Sequence, residues 1–172
     1  MAGLVNELLQ FTRATIGGKK VELLEVPVRP IAEKAIHREA LDVSQVRLEI
    51  EETIAVRAAP DLLQRALSNL VRNAIRYAGH AGPITVAAVK EGAEVFINVT
   101  DKGPGVPEEA LPKLFDPFYR VDTARTPGVP GGGGTGLGLA IVKTCIEACD
   151  GMVSARNVTP SGFEVTLRLA AG

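Results

Sequence analysis

A run of glycines that leads directly into an apolar helix constrains this sequence more than any other feature. Residues 131–138 contain six glycines, and residues 137–149 follow with apolar side chains at steps of three and four. Glycine lets the backbone approach an anion closely, and the first turn of a helix offers unpaired N–H groups and the positive end of its dipole. The pattern favours a polyphosphate-binding loop at a helix N-terminus, with a solvated glycine linker as the alternative.

Length and composition are those of one globular domain. The chain has 172 residues, 46% of them hydrophobic and 23% charged, with a formal net charge of −1. A nearly neutral chain has no bulk attraction for nucleic acid or an anionic membrane, so any phosphate site must be local. No apolar stretch of roughly 18 residues predicts a membrane span. Cys145 and Cys149 lie about one helical turn apart, where a disulfide is unfavourable, and are interpreted as reduced, partly buried thiols.

Helical and strand patterns alternate along the rest of the sequence. Helices are predicted at 4–15, 30–41, 62–77 and 137–149, with a helical turn at 108–111. Strands are predicted at 46–51, 53–57, 84–89, 94–100, 152–157 and 163–169, and residues 21–29 alternate loosely. The last helix is expected to end at Asp150 and Gly151. This order predicts an α/β two-layer arrangement with one mixed sheet and helices mainly on one face.

Two asparagines share a face of the strongest predicted helix. Asn69 and Asn73 lie four residues apart beside apolar side chains, and buried amides need partners, so the pair indicates a polar cleft. Amide oxygens suit Mg²⁺, which also binds phosphates. Arg76 and Tyr77, about one turn later, could contact a phosphate and a ring. The alternative is that both asparagines face solvent at the edge of the helix.

Two further segments carry chemistry. Asp101 follows a predicted strand and could accept a hydrogen bond from an exocyclic amine, while Gly103 and Gly105 would allow a flat ring to approach; the alternative is an ordinary turn. Aromatic residues cluster at 115–119, just before the glycine-rich segment. This cluster is interpreted as a hinge or docking patch for a mobile lid, or else as a small satellite of the core.

These four segments, in this order, resemble the N, G1, F and G2 boxes of bacterial sensor histidine kinases. The resemblance rests on residues 69–77, 101–105, 115–120 and 134–140. It covers residues 17–172, interpreted as a catalytic ATP-binding domain, whereas residues 1–16 resemble the C-terminal end of the family's dimerisation helix. The fold it implies is the Bergerat ATP-binding fold, a mixed sheet of about five strands with helices on one face.

The resemblance also implies ATP and Mg²⁺ as cofactors and assigns roles to residues. Asn73 would bind the metal, Asn69 would line the phosphates, and these two with Arg76 form the implied catalytic set. Residues 121–135 would be the ATP lid. The implied nucleotide contacts are Asn69, Asn73, Arg76, Tyr77, Asp101, Gly103, Gly105, Val106, Phe118, Tyr119, Arg120, Gly134, Thr135, Gly136, Leu137 and Gly138.

The resemblance implies partners as well. His37 and His80 do not fit the family's phosphoacceptor box, so the chain is not expected to phosphorylate itself. Its partners would be a dimerisation domain carrying the acceptor histidine and the receiver domain of a response regulator. Neither nucleic acid nor direct membrane contact is expected. The isolated chain would be a cytoplasmic monomer, and its parent would be anchored in the bacterial inner membrane.

Two other functions share this superfold. Hydrolytic ATPases of the Hsp90, gyrase and MutL kind carry a glutamate base one turn before the metal-binding asparagine, and Asn69 stands at that position here. A nucleotide-binding module of the anti-sigma type is the second alternative. Residues 115–119 and the tail-like N-terminal helix favour the kinase.

Overall fold

The computed structural model describes residues 21–78, 80–121 and 136–172, together with Asn6 and Leu9. Within these residues the strands are β1 (Leu24–Pro27), β2 (Val46–Glu49), β3 (Ala55–Ala58), β4 (Ile84–Glu91), β5 (Glu94–Asp101), β6 (Met152–Asn157) and β7 (Phe163–Ala170). The helices are α1 (Val28–Glu39), α2 (Pro60–Ala78) and α3 (Gly138–Ala148), with 3-10 helices at Val43–Gln45 and Glu108–Lys113. The predicted helix at 4–15 and the predicted lid fall outside the described residues, apart from Asn6, Leu9 and Val121.

Five strands form one mixed sheet in the order β2-β4-β5-β7-β6. The outer pair β2 and β4 is parallel, because α2 crosses over between them, and the other pairs are antiparallel. The prediction of a single sheet is wrong in one respect, since β1 and β3 form a separate antiparallel ribbon. Strand β1 ends at Pro27, which has no N–H to donate and leads directly into α1, so the ribbon stays short.

The helix ends follow from local backbone chemistry. Helix α1 begins at Val28, two residues before the predicted start. The first N–H of a helix has no partner inside the helix, and that of Val28 donates to the carbonyl of Ile54 at 3.0 Å. Helix α3 ends as expected near Asp150 and Gly151, but Asp150 is the residue that takes the left-handed conformation, with φ of 60°. Gly151 is needed for another reason: a methyl group there would lie 2.6 Å from the carbonyl oxygen of Arg168.

One face of the sheet is covered by helices, which confirms the predicted two-layer arrangement. Helix α2 packs against α1 and α3, and contacts β4 and β5. Strand alternation turns Val95, Ile97 and Val99 of β5 into the core, where each is at most 4% exposed. The opposite face carries polar side chains that pair across strands. Thr166, for example, donates to Asn98 at 2.7 Å.

Both cysteines are more deeply buried than predicted. Cys145 and Cys149 are free thiols, 0% and 2% exposed. Burial raises the pKa of the Cys145 thiol to about 11. The Cys149 sulfur accepts a hydrogen bond from the backbone N–H of Ala59 at 3.4 Å, which ties α3 to the start of α2. These thiols act as core residues.

Candidate nucleotide-binding site

Asp101 is the last residue of β5 and is placed by strand alternation. It pairs with Phe163 of β7 and points to the helix-covered face, where it is 6% exposed. Its carboxylate accepts hydrogen bonds from the backbone N–H groups of Gly103, at 2.9 Å, and Phe163. Burial raises the pKa of Asp101, and these two hydrogen bonds oppose the rise. The result is a fixed, buried acceptor at the end of a central strand.

Buried polar side chains are rare in the part of the chain that the structure describes. Besides Asp101, they are Ser68 and Asn69, both on α2 and each 4% exposed. The amide of Asn69 donates to the carbonyl of Arg65 at 2.9 Å. Two of these three buried polar residues were therefore predicted as site residues. Burial of a polar group costs free energy unless it is hydrogen-bonded, so buried Asp101 and Asn69 are the strongest candidates for site residues.

The loop formed by residues 101–106 lies against the end of α2. A methyl group on Gly103 would come within 2.7 Å of the Ala78 side chain and 3.3 Å of the Tyr77 carbonyl oxygen. Contact this close requires glycine at position 103. Gly105 takes φ of 74°, which also favours glycine. This packing brings Asp101 close to the last turn of α2.

The other predicted site residues of α2 share one face of the helix and become more exposed to solvent toward its C-terminal end. Asn73 is half-buried one turn after Asn69, while Arg76 and Tyr77 are exposed. An ion pair next to this face ties the helix to α1. The Arg72 guanidinium contacts the Glu39 carboxylate at 3.1 and 3.3 Å, joining α2 to the end of α1.

The start of α3 lies next to the asparagine face. Leu137 is fully buried and anchors the first turn, and its carbonyl accepts from the N–H of Ile141 at 2.8 Å. A methyl group on Gly138 would lie 3.8 Å from the Asn69 side-chain oxygen. The N-terminal end of α3, which carries the positive end of the helix dipole, therefore faces the polar side of α2.

Phe118 and Gly136 meet through their backbones. The N–H of Phe118 donates to the carbonyl of Gly136 at 2.9 Å. Both residues take left-handed conformations, with φ of 66° and 77°. The Phe118 side chain is 59% exposed, Tyr119 is half-buried and Arg120 is exposed.

The structure thus brings three pairs of predicted residues together: Asn69 with Gly138, Asp101 with Gly103, and Phe118 with Gly136. It does not bury Arg76, Tyr77 or Arg120, whose side chains lie in solvent. Gly134 and Thr135 lie outside the described residues. Their roles, and those of every residue assigned to ligand contact, stay predictions.

Asn157 and Gly162 are the residues that sequence reasoning missed. Asn157 contacts the backbone of Val106 at 2.9 and 2.7 Å, and a methyl group on Gly162 would overlap the carbonyl oxygen of Asp101. These contacts bridge 51 to 61 positions. A polar residue at a strand end and a glycine in a turn are the only local signals, and neither names its distant partner.

The donor set fits a nucleotide with a hard cation better than a metal held by protein alone. No group of three or more His, Cys, Asp or Glu side chains that could hold a metal occurs among the described residues. A cation here would depend on an amide oxygen such as that of Asn73 together with phosphate oxygens. The described helices also include none that is long and apolar enough to cross a bilayer.

Comparison with known proteins gives the same assignment. Residues 58–172 match the model of the histidine kinase-, DNA gyrase B- and HSP90-like ATPase family. The signal transduction histidine-protein kinase AfsQ2 of Streptomyces coelicolor is 34% identical over 96% of the chain, which spans 30% of that protein.

Solved structures agree. The histidine kinase domain of the Escherichia coli osmosensor EnvZ is 30% identical with a TM-score of 0.65, over 90% of this chain and 92% of that one. ShkA in complex with AMPPNP is 27% identical with a TM-score of 0.69, over 99% and 36%. The chain belongs to the histidine kinase-, DNA gyrase B- and HSP90-like ATPase family, as an ATP-binding domain of the sensor histidine kinase type.

Proposed function

We propose that this chain binds Mg²⁺-ATP and donates the γ-phosphoryl group to a histidine of a separate dimerisation domain. The proposal rests on three features arranged along α2: a buried carboxylate beside its last turn, two asparagines on one of its faces, and the glycine-opened start of α3 beside Asn69. Each suits one part of the nucleotide, namely base, metal and phosphates. The relative ShkA was solved with AMPPNP, which supports the same ligand class.

Loop 101–106 would recognise the adenine base. The Asp101 carboxylate is held by two backbone N–H groups, and its remaining acceptor capacity can take a hydrogen bond from the adenine amine. Gly103 and Gly105 keep side chains out of the way of the ring. Val106 packs against the hydrophobic core.

The phosphates and the metal would be bound by the asparagine face of α2 and the start of α3. The Asn73 amide oxygen would hold Mg²⁺, which neutralises phosphate charge when bound, and Asn69 would line the phosphates beside Gly138. The backbone N–H groups at 136–138 would donate to phosphate oxygens. Arg76 and Arg120 are exposed cations that could approach the γ-phosphate. Such a site acts by positioning and charge neutralisation, which is what phosphoryl transfer requires.

The acceptor histidine has to come from a partner. His37 lies exposed on α1 and His80 lies exposed in the turn after α2, so neither is presented to Asn69 or Gly138 by the described contacts. The chain spans 30% of AfsQ2, which leaves room for such a domain in a whole kinase. The receiver domain of a response regulator would take the phosphoryl group next. A membrane-anchored parent is part of the same proposal.

Hydrolysis is the less favoured activity. A hydrolytic member of the family would need a carboxylate one turn before Asn73 to take a proton from water. Asn69 occupies that position, and an amide cannot act as a base. Its Nδ2 is engaged with the Arg65 carbonyl, so it is held as a neutral lining group.

The test is phosphoryl transfer in trans. The chain is incubated with radiolabelled ATP and Mg²⁺, with and without an added histidine-containing dimerisation fragment of a relative such as AfsQ2. We expect acid-labile label on the fragment only when the chain is present, and little free phosphate. Steady phosphate release without labelling of any fragment would contradict the kinase assignment and favour the ATPase. The Asn73→Ala variant serves as the inactive control.

A further inference from the structure

The side chain of Asn157, at the end of β6, forms hydrogen bonds with the backbone of loop 101–106. Its Oδ1 accepts from the N–H of Val106 at 2.9 Å, and its Nδ2 donates to the carbonyl of the same residue at 2.7 Å. The second hydrogen of Nδ2 points to a Glu108 carboxylate oxygen at 3.2 Å. One carboxamide thus satisfies both backbone groups of Val106, much as a neighbouring strand would.

The geometry requires an asparagine. Aspartate has no hydrogen to donate to the Val106 carbonyl, and serine cannot reach both groups with one hydroxyl. The same side chain leaves no room for a Cβ at position 105, because a methyl group on Gly105 would lie 2.5 Å from the Asn157 Oδ1. Asn157 is half-buried in this position.

The same hairpin contacts the other end of the loop. Gly162 lies against the carbonyl of Asp101, with φ of 140°. The N–H of Phe163 donates to the Asp101 carboxylate, and the Ser161 hydroxyl lies 3.4 Å from the carbonyl of Lys102. Loop 101–106 is therefore held at both ends by residues of the β6–β7 hairpin.

We propose that Asn157 is a positioning residue for base recognition: by clamping Val106 it holds loop 101–106 in the conformation that presents Asp101 to adenine. The inference rests on the proposed function, since it assumes that Asp101 reads the base. Without the clamp, the loop has to be ordered by the ligand, and that ordering is subtracted from the binding free energy. The loss should be specific to nucleotides whose base makes the Asp101 hydrogen bond.

The experiment compares ATP and GTP binding by titration calorimetry in four versions of the whole chain. The variants are Asn157→Ala, Asn157→Asp and the control Asn98→Ala. Asn98 lies on the opposite face of the same sheet and also loses one side-chain hydrogen bond, that from Thr166. Hydrogen exchange at the Val106 N–H and thermal unfolding are measured on the same samples. Asn157→Asp keeps the shape of the side chain but sets a carboxylate beside Glu108, so thermal unfolding is used to show that each variant folds.

We expect both Asn157 variants to lose roughly three- to tenfold in ATP affinity, the range of one or two net hydrogen bonds. GTP affinity and the control should stay at wild-type values, and the Val106 N–H should exchange faster in both variants. The inference would be overturned if folded Asn157→Asp kept the wild-type ratio of ATP to GTP affinity, or if both nucleotides lost affinity equally. Unfolding of both variants would overturn it as well. A wild-type chain that binds neither nucleotide would instead overturn the proposed function.

Discussion

The two ends of the candidate site are built in different ways. At the proposed adenine end, Asp101 is 6% exposed, and its loop is tied to α2, β6 and β7 by backbone contacts. At the proposed phosphate end, the Arg76 and Arg120 side chains are exposed, and a methyl group on Gly138 would still lie 3.8 Å from the Asn69 side-chain oxygen.

The difference has a physical reason. A neutral, flat base gains most from a dry, rigid pocket whose hydrogen-bond groups are already in place. A triphosphate carries several negative charges and binds together with a metal. In the free protein, burying the cationic side chains that contact it would cost more free energy than leaving them hydrated. We expect the adenine end to set selectivity and the phosphate end to set the dependence on Mg²⁺. Each prediction that follows could break or sharpen this division.

The largest effect is expected at the phosphate end. Replacing Asn73 by alanine removes the proposed metal ligand, so Mg²⁺-dependent nucleotide binding should be lost. Titration of a fluorescent ATP analogue with and without Mg²⁺ measures this directly. The Asn98→Ala variant is the control and should bind as the wild type does. Unchanged affinity of Asn73→Ala in Mg²⁺ would remove Asn73 from the site.

Asp101→Asn tests the adenine end. It replaces a charged acceptor by an amide that cannot accept from Gly103, Phe163 and adenine together. We expect ATP affinity to fall roughly ten- to hundredfold, the range for hydrogen bonds to a charged group, while GTP affinity changes little. Equal losses for ATP and GTP would contradict the assignment of base selectivity to this end. The exposed Asp116, replaced in the same way, provides the matched control.

The same residue predicts a pH dependence of stability. Burial raises the pKa of Asp101 in the folded chain above its unfolded value, so the folded state holds a proton more tightly. The ionised carboxylate therefore destabilises the nucleotide-free fold at neutral pH, and this cost fades as pH falls through the raised pKa. Denaturant unfolding at neutral and mildly acidic pH should show the wild type gaining stability relative to Asp101→Asn. A constant difference would mean that Asp101 keeps an ordinary pKa.

Gly162→Ala sharpens the claim that the adenine end is rigid. A methyl group there would overlap the Asp101 carbonyl in a backbone conformation that disfavours alanine. We expect the free energy of unfolding to fall by about 1–3 kcal/mol, as in other overpacked sites. Gly92→Ala is the control, because it also has a positive φ but open space around it. If the two variants lose equal stability in thermal unfolding, the close approach contributes nothing.

The smallest effect is expected from Gly138→Ala. The new methyl group would lie at ordinary contact distance from Asn69, and alanine favours a helix over glycine, so stability should rise by about 0.5–1 kcal/mol. ATP affinity should fall slightly, because the methyl group enters space assigned to the phosphates. Gly136→Ala is the contrasting variant and should destabilise the fold, since its methyl group would lie 2.7 Å from the Phe118 backbone. A rise in ATP affinity with Gly138→Ala would place the phosphates elsewhere.

Periodic patterns predicted the elements of this fold well, because they record burial directly. The alternation of β5 and the apolar face of α2 both appear where they were expected. The separate β1–β3 ribbon was missed, because two short strands give no signal of which partner each will choose. The roles of Asp150 and Gly151 were also not distinguishable, since the need for glycine at 151 comes from Arg168 of a distant strand.

The candidate site shows the same limit. Asp101, Asn69 and Gly138 could be named as candidates from the sequence because their chemistry is carried by residue type and by a recognisable order of motifs. Asn157 and Gly162 could not, because their contribution is a contact with a backbone about 50 residues or more away. Side chains that meet a ligand leave a pattern in sequence, whereas side chains that support a loop do not.

The hydrogen bond between the Phe118 N–H and the Gly136 carbonyl has a consequence for how this domain can vary. It sets the separation of the two backbone positions that bound the intervening segment, whatever the length of that segment. The entropy of closing a loop grows only with the logarithm of its length, by about 0.6 kcal/mol for each doubling. Insertions between Val121 and Gly136 should therefore change the free energy of folding only slightly. This segment is the natural place for grafted sequences, reporter groups or loops exchanged between relatives.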